Sequence, residues 1–131
     1  MNPGNAKANG LTVMVVDDNP LMRRIVQITL RRHGFNVLLA EDGSTALAAL
    51  TGTTIDLALI DVVLPKVDGV QVSLQMLQIA PQMRILFTSG YSFQQLSTRG
   101  YVIEEANFVS KPTAPLLLVE RINQALVPNL S

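Results

Sequence analysis

Short apolar runs alternate with amphipathic stretches along the chain, five times over. Thr12 to Val16 is β-branched and apolar and stops at Asp17-Asp18, the pattern of a strand buried on both faces. Asn19-Pro20 opens a helix, with Asn as its N-cap and Pro at the first helical position, where a missing N–H costs nothing. Within it Leu21, Ile25 and Ile28 recur at helical spacing, Arg23, Arg24, Arg31 and Arg32 are expected to stay in water, and Gly34 supplies the stop. Phe35 to Ala40 reads as a second strand, Asp42-Gly43 as a turn, and Ser44 as the N-cap of a short helix to about Leu50. Ile55 to Ile60 is a third strand ending at Asp61, followed by a loop over Pro65 to Gly69 and a helix from Val70 to Ile79. Arg84 to Thr88 is a fourth strand ending at Ser89-Gly90, Asn107 to Ser110 a fifth ending at Lys111-Pro112, and Pro115 to Leu126 the closing helix. Between Gly90 and Ala106 the pattern is weakest: Phe93 to Thr98 suits a brief helix ended by Arg99-Gly100, and an irregular turn follows. The alternation implies an α/β fold, a doubly wound five-stranded parallel sheet with helices on both faces.

With 131 residues the chain has room for one domain, expected over residues 11–131, and residues 1–10, rich in Asn, Gly and Ala, read as a flexible tail or linker. Ten Lys plus Arg balance ten Asp plus Glu without clustering, so no positive field attracts nucleic acid. The 48% hydrophobic and 15% charged content, the latter below the usual ~25%, fits heavily buried strands. No apolar run reaches the ~20 residues of a membrane span and no secretory leader is visible, so a cytoplasmic, membrane-free protein is expected. Without cysteine there is no disulfide scaffold, thiolate zinc site or cysteine nucleophile.

The strand interiors are apolar, and the chemistry gathers where they end. In an open parallel sheet the ligand crevice lies beyond the carboxyl ends of the strands. Asp17, Asp18, Asp61, Ser89 and Lys111 all follow or close a strand, so one edge can hold them. Carboxylates crowded to ~4 Å at an effective dielectric of ~20 repel by about 4 kcal/mol per pair. A hard divalent cation relieves this, and Mg²⁺ (or Mn²⁺) suits a few carboxylates, a backbone carbonyl and a phosphoryl oxygen. With Lys111 as a second positive charge and Ser89 as a hydroxyl donor, such a site suits phosphoryl transfer.

Taken in order, Val15-Val16-Asp17-Asp18-Asn19, Leu59-Ile60-Asp61-Val62-Val63-Leu64-Pro65, Asp68-Gly69, Thr88-Ser89-Gly90 and Ser110-Lys111-Pro112 resemble the receiver domain of two-component response regulators, over about Leu11 to Leu126. The resemblance implies a flavodoxin-like sheet of order 2-1-3-4-5. It also implies that Asp61 accepts a phosphoryl group from a phosphohistidine of a histidine kinase or histidine phosphotransfer protein. Asp18, Asp61 and the Val63 carbonyl would bind the cation directly and Asp17 through water. Ser89 and Lys111 would each bind a phosphoryl oxygen, with Lys111-Pro112 cis. Phe108 stands at the family's switch aromatic, turning inward when Ser89 moves and so changing the face of helix four, strand five and helix five for a downstream protein, an output domain in a longer chain, or a second copy. The run Ile85 to Tyr91 and the short fourth helix look like the receivers of hybrid histidine kinases.

Two departures bear on turnover. Val63, two residues past Asp61, and Tyr91, two past Ser89, flank the path of attacking water in the family. Val cannot orient water and Tyr obstructs it, so self-hydrolysis of the phosphorylated protein is expected to be slow. Val63 also argues against an aspartyl-phosphate phosphohydrolase, which places a second Asp there, and a phosphorylation-independent scaffold requires this acidic site to be inert. The receiver reading makes the chain a phosphorylatable switch that catalyses only its own phosphoryl transfer and slow dephosphorylation, not an enzyme in the ordinary sense. Other conspicuous residues have plainer roles: His33 at a helix end, Asp42 and Asp56 as solvated loop or strand-edge charges, Asp68-Gly69 as a turn, and Met14, Met22, Met76 and Met83 as core filler.

Overall fold

Alternation along a single strand divides the core in two. In β1 (Thr12–Val16), Val13 and Val15 fall on one face and Met14 and Val16 on the other, all 2% exposed or less. The structure is a computed structural model that describes residues 10–126; the expected tail, apart from Gly10, and residues 127–131 lie outside the described residues. After β1 come α1 (Pro20–Arg32), β2 (Asn36–Ala40), α2 (Gly43–Ala49), β3 (Leu57–Asp61), α3 (Gly69–Ile79), β4 (Arg84–Ser89), α4 (Phe93–Thr98), a 3₁₀ turn (Glu105–Asn107), β5 (Phe108–Ser110) and α5 (Pro115–Leu126). The strands form one parallel sheet of order β2-β1-β3-β4-β5, a flavodoxin-like arrangement. Leu30 of α1 and Leu118 and Ile122 of α5 pack over the Val13–Val15 face. Ala46 of α2, Val72 and Met76 of α3 and Leu96 of α4 cover the other.

The expected elements are all present, with boundaries moved by local chemistry. Helix α2 is capped by Asp42 rather than Ser44: its carboxylate accepts from the Thr45 amide at 2.8 Å. Asp68 caps α3 in the same way, accepting from Gln71 at 2.9 Å, so the expected turn is also a helix start. Asn107 belongs to the 3₁₀ turn, not to β5, while Phe35 and Ile55 are buried just ahead of their strands. Gly34 and Gly100, with φ of +91° and +92°, end α1 and α4 in the left-handed region that glycine favours. Of the methionines, Met14, Met76 and Met83 are buried and Met22 is half-buried.

Helix α1 differs most from its expected orientation. Leu21, Ile25 and Ile28, the spacing that announced the helix, are 67%, 46% and 41% exposed. The buried stripe passes through Val26 and Leu30, which touch the α1–α5 side of the core. Two apolar stripes share this helix, and tertiary packing selects the one that the periodicity did not favour.

One glycine fixes the approach of α3 to the sheet edge. A Cβ on Gly69 would lie 2.1 Å from the carbonyl oxygen of Asp61 and 2.9 Å from Ile60, and its amide donates to the Val62 carbonyl at 2.7 Å. Backbone cannot yield as a flexible side chain does. Gly69→Ala is therefore expected to lower unfolding stability by about 3 kcal/mol, the upper end of overpacking penalties, read from urea denaturation.

Candidate functional site

Strand register brings the acids together. Val16 pairs with Ile60, so the residues that follow them, Asp17 and Asp61, emerge side by side at the carboxyl edge. Asp61 in turn pairs with Thr88, and Ser89 with Ser110, which places Ser89 and the start of the Lys111 loop next along the same edge. The Lys111 amide donates to the Ser89 carbonyl at 2.8 Å, and the Lys111-Pro112 peptide is cis. This edge includes the junction of β1 and β3, where the strand order changes direction.

Asp17 and Asp61 are buried, at 3% and 6% exposure, whereas Asp18 is exposed. One carboxylate oxygen from each of the three lies within 4.8 Å of the other two. The Lys111 ammonium enters between two of them, donating to Asp17 Oδ2 at 2.6 Å and to Asp61 Oδ2 at 2.9 Å. The remaining oxygens are also engaged: Asp17 Oδ1 accepts from the Asn19 amide at 2.9 Å, and Asp61 Oδ1 from the Val63 amide at 3.0 Å. Three acids against one ammonium leave two negative charges, the complement of a divalent cation. The donors are all oxygens, which fits a hard ion such as Mg²⁺.

Burial raises the Asp61 carboxyl above the usual aspartate range; the Lys111 hydrogen bond and charge and the Val63 amide pull it back only in part, and Asp17 adds to the rise. For Lys111, burial acts downward, but the hydrogen bonds and charges of Asp17 and Asp61 outweigh it, so the ammonium form is reinforced. Asp61 is thus a more basic, less solvated carboxylate than a surface aspartate, held in place by its neighbours.

Ser89 is 1% exposed, and its Oγ accepts from the Tyr91 amide at 3.1 Å, leaving its own proton to donate. The Arg99 guanidinium covers the Tyr91 ring at 4.1 Å from the centroid. Phe108, expected to turn inward on switching, is already 6% exposed here, its ring centroid 6.0 Å from that of Phe93. Val63 is 40% exposed at the mouth of the site. The reading of the sequence missed Arg23: expected in water, it is half-buried and donates through Nη1 to the Asp17 carbonyl at 2.6 Å. The available signal was its place one turn after an acidic pair. Of the plainer residues, His33 Nδ1 lies 2.9 Å from the Thr29 carbonyl, and Asp56 accepts from the Thr12 amide at 2.7 Å, the strand-edge one of its two expected placements. A groove of about 730 Å³ lies elsewhere, lined by residues such as Leu11, Ile79 and Met83, and includes none of the site acids.

The opposing charges give substitutions of opposite sign. In divalent-free buffer, Asp61→Asn is expected to raise the thermal midpoint by a few degrees at neutral pH, because it removes a charge whose burial is unfavourable. The folded-state carboxyl titrates above its unfolded value of ~3.9, so the gain is full above the folded pKa, fades as pH falls through it, and is gone below ~3.9, where both states are protonated. Lys111→Met leaves two buried carboxylates uncompensated and is expected to cost about 2 kcal/mol, discounted for the partial exposure of the ammonium. Differential scanning calorimetry across pH checks both.

Comparison with known proteins agrees with this geometry. The family described as "Response regulator receiver domain" matches residues 13–123. The probable transcriptional regulatory protein TcrX of Mycobacterium tuberculosis is 30% identical over 92% of this chain, which spans only 52% of that protein. The response regulator receiver protein CpdR of Brucella abortus is 27% identical over 88% of the chain and 96% of its own length. Among solved structures, the receiver domain of the hybrid histidine kinase CckA superposes with a TM-score of 0.72 at 29% identity, covering 88% of this chain and 98% of that one. The chain belongs to the response regulator receiver domain family, whose members act as phosphoacceptor switches in two-component signalling.

Proposed function

We propose that Asp61 accepts a phosphoryl group from a phosphohistidine on a histidine kinase or histidine phosphotransfer protein, and that the single domain beginning near Leu11 relays this to a protein partner. The observation that carries the reading is the Asp61 carboxylate itself: buried, raised in basicity, and fixed by Lys111 at 2.9 Å within a three-acid cluster. An Asp61 oxygen forms the new O–P bond as the P–N bond to the donor imidazole breaks, and the ring nitrogen keeps the electron pair. The Val63 amide and the Lys111 ammonium orient the carboxylate, and Lys111 then pairs with an oxygen of the transferred group. The Ser89 hydroxyl donates to another oxygen. Asp18, Asp61 and the Val63 carbonyl would hold Mg²⁺ (or Mn²⁺) directly and Asp17 would hold it through water. When bound, the ion neutralises charge on the phosphoryl oxygens.

Movement of Ser89 and its loop toward the phosphoryl group changes the α4–β5–α5 face around Phe108, and a partner selects one of the two arrangements. That partner is a downstream protein, an output domain in a longer chain, or a second copy of this one. The likeness to a hybrid kinase's receiver supports a phosphorelay setting, and among the described residues no helix is long and apolar enough to cross a membrane.

With Mg²⁺ and acetyl phosphate, intact mass spectrometry is expected to show one added phosphoryl group on the wild type and none on Asp61→Ala. An unmodified wild type, or an equally modified Asp61→Ala, overturns the reading. Once donor is removed, phosphate loss is expected to take hours rather than seconds, since Val63 cannot orient water and Tyr91 obstructs its path. Val63→Asn with Tyr91→Ala should shorten that lifetime by at least about tenfold, measured by release of inorganic phosphate.

A further inference from the structure

We infer that Arg23, in the first turns of α1, is a positioning residue for the divalent-cation site; this rests on the cation-dependent reading above. Asp17 is held at every polar group. Its amide donates to Ala40 at 3.1 Å, Oδ1 accepts from Asn19 at 2.9 Å, Oδ2 from Lys111 at 2.6 Å, and its carbonyl from Arg23 Nη1 at 2.6 Å. Two of these bonds reach its neighbour: the Asn19 amide shares a planar peptide unit with the Asp18 carbonyl, and the Asp17 carbonyl that Arg23 grips shares one with the Asp18 amide. Asp18 is the exposed member of the acid cluster, so packing does little to aim its carboxylate. The orientation of its backbone is set by the two peptides that flank it, and the Arg23 guanidinium is the side chain that grips the first of them.

The sign of the effect separates positioning from charge. A guanidinium beside three carboxylates repels a dication, so on charge alone its removal tightens cation binding. A residue that aims Asp18 does the reverse: without it the carboxylate must be ordered at the moment of binding, and affinity falls. Supports of this kind behind metal ligands typically contribute ~10–100-fold to affinity. Arg24, adjacent, exposed and of equal charge, supplies the matched control.

The experiment titrates Mg²⁺ into the full chain by calorimetry for wild type, Arg23→Ala, Arg23→Gln and Arg24→Ala, with the Asp18 amide resonance followed by ¹⁵N NMR. The expected result is a roughly tenfold weaker dissociation constant in both Arg23 variants, a displaced Asp18 amide resonance in their cation-free spectra, and unchanged or tighter binding in Arg24→Ala. Arg23 variants that fold and bind Mg²⁺ as tightly as wild type, or more tightly, overturn the inference; two variants guard against one that fails to fold. A wild type that takes up no Mg²⁺ overturns the cation reading itself, an outcome distinct from equal affinities.

Discussion

A single ammonium holds the working edge of this domain together. Lys111 reaches the carboxylates of Asp17 and Asp61, residues far from it in sequence, at 2.6 and 2.9 Å. Either acid without it would be a buried charge lacking compensation, the arrangement that folded proteins avoid most strongly. Yet one positive charge among three acids leaves an imbalance. The site is stable enough to persist and still under-neutralised, the condition that the proposed cation binding and phosphoryl transfer both require.

The apolar sheet makes such a cluster tolerable. Parallel pairing in register carries Val16 and Ile60 to the same level, so that the first polar residues beyond them, Asp17 and Asp61, appear together with no loop needed to bring them close. The two-sided core beneath, with Met14, Val16, Ile60 and Leu59 each 2% exposed or less, fixes those strand ends more rigidly than a surface loop could. Gly69 completes the frame by letting α3 begin directly against the Asp61 carbonyl.

Most of this was legible from the chain because strands buried on both faces write uninterrupted apolar runs, and the polar residue that ends each run marks the edge. The order of elements and the gathering of Asp17, Asp61 and Lys111 followed from that. The facing of α1 did not: Leu21, Ile25 and Ile28 are as periodic as the residues that pack, and only the position of α5 decides which stripe is covered. Asp42 and Ser44 are both good caps, and the choice between them depends on where the chain leaves β2. Arg23 looked like one of four wet arginines, since nothing in a one-dimensional pattern shows that a side chain folds back to a carbonyl six residues earlier.

The same contacts divide the edge into a stiff part and a soft part. Asp17 is held by four hydrogen bonds, one from an ammonium and one from a guanidinium, and such charge-assisted bonds are roughly twice as strong as neutral ones. The hydroxyl of Ser89 is tied to its loop by one neutral bond from the Tyr91 amide, worth about 1 kcal/mol net, and the Arg99–Tyr91 stack adds about as little at an exposed position. A newly placed phosphoryl oxygen offers Ser89 a charged acceptor, stronger than anything the loop must give up. Under the proposed function the acids therefore stay where the sheet sets them, and the hydroxyl loop moves. Tyr91, Arg99 and the Phe93–Phe108 pair lie on that loop's side, so under the proposed function a signal leaving Asp61 would pass through aromatic contacts near α4, the helix for which the sequence pattern was weakest.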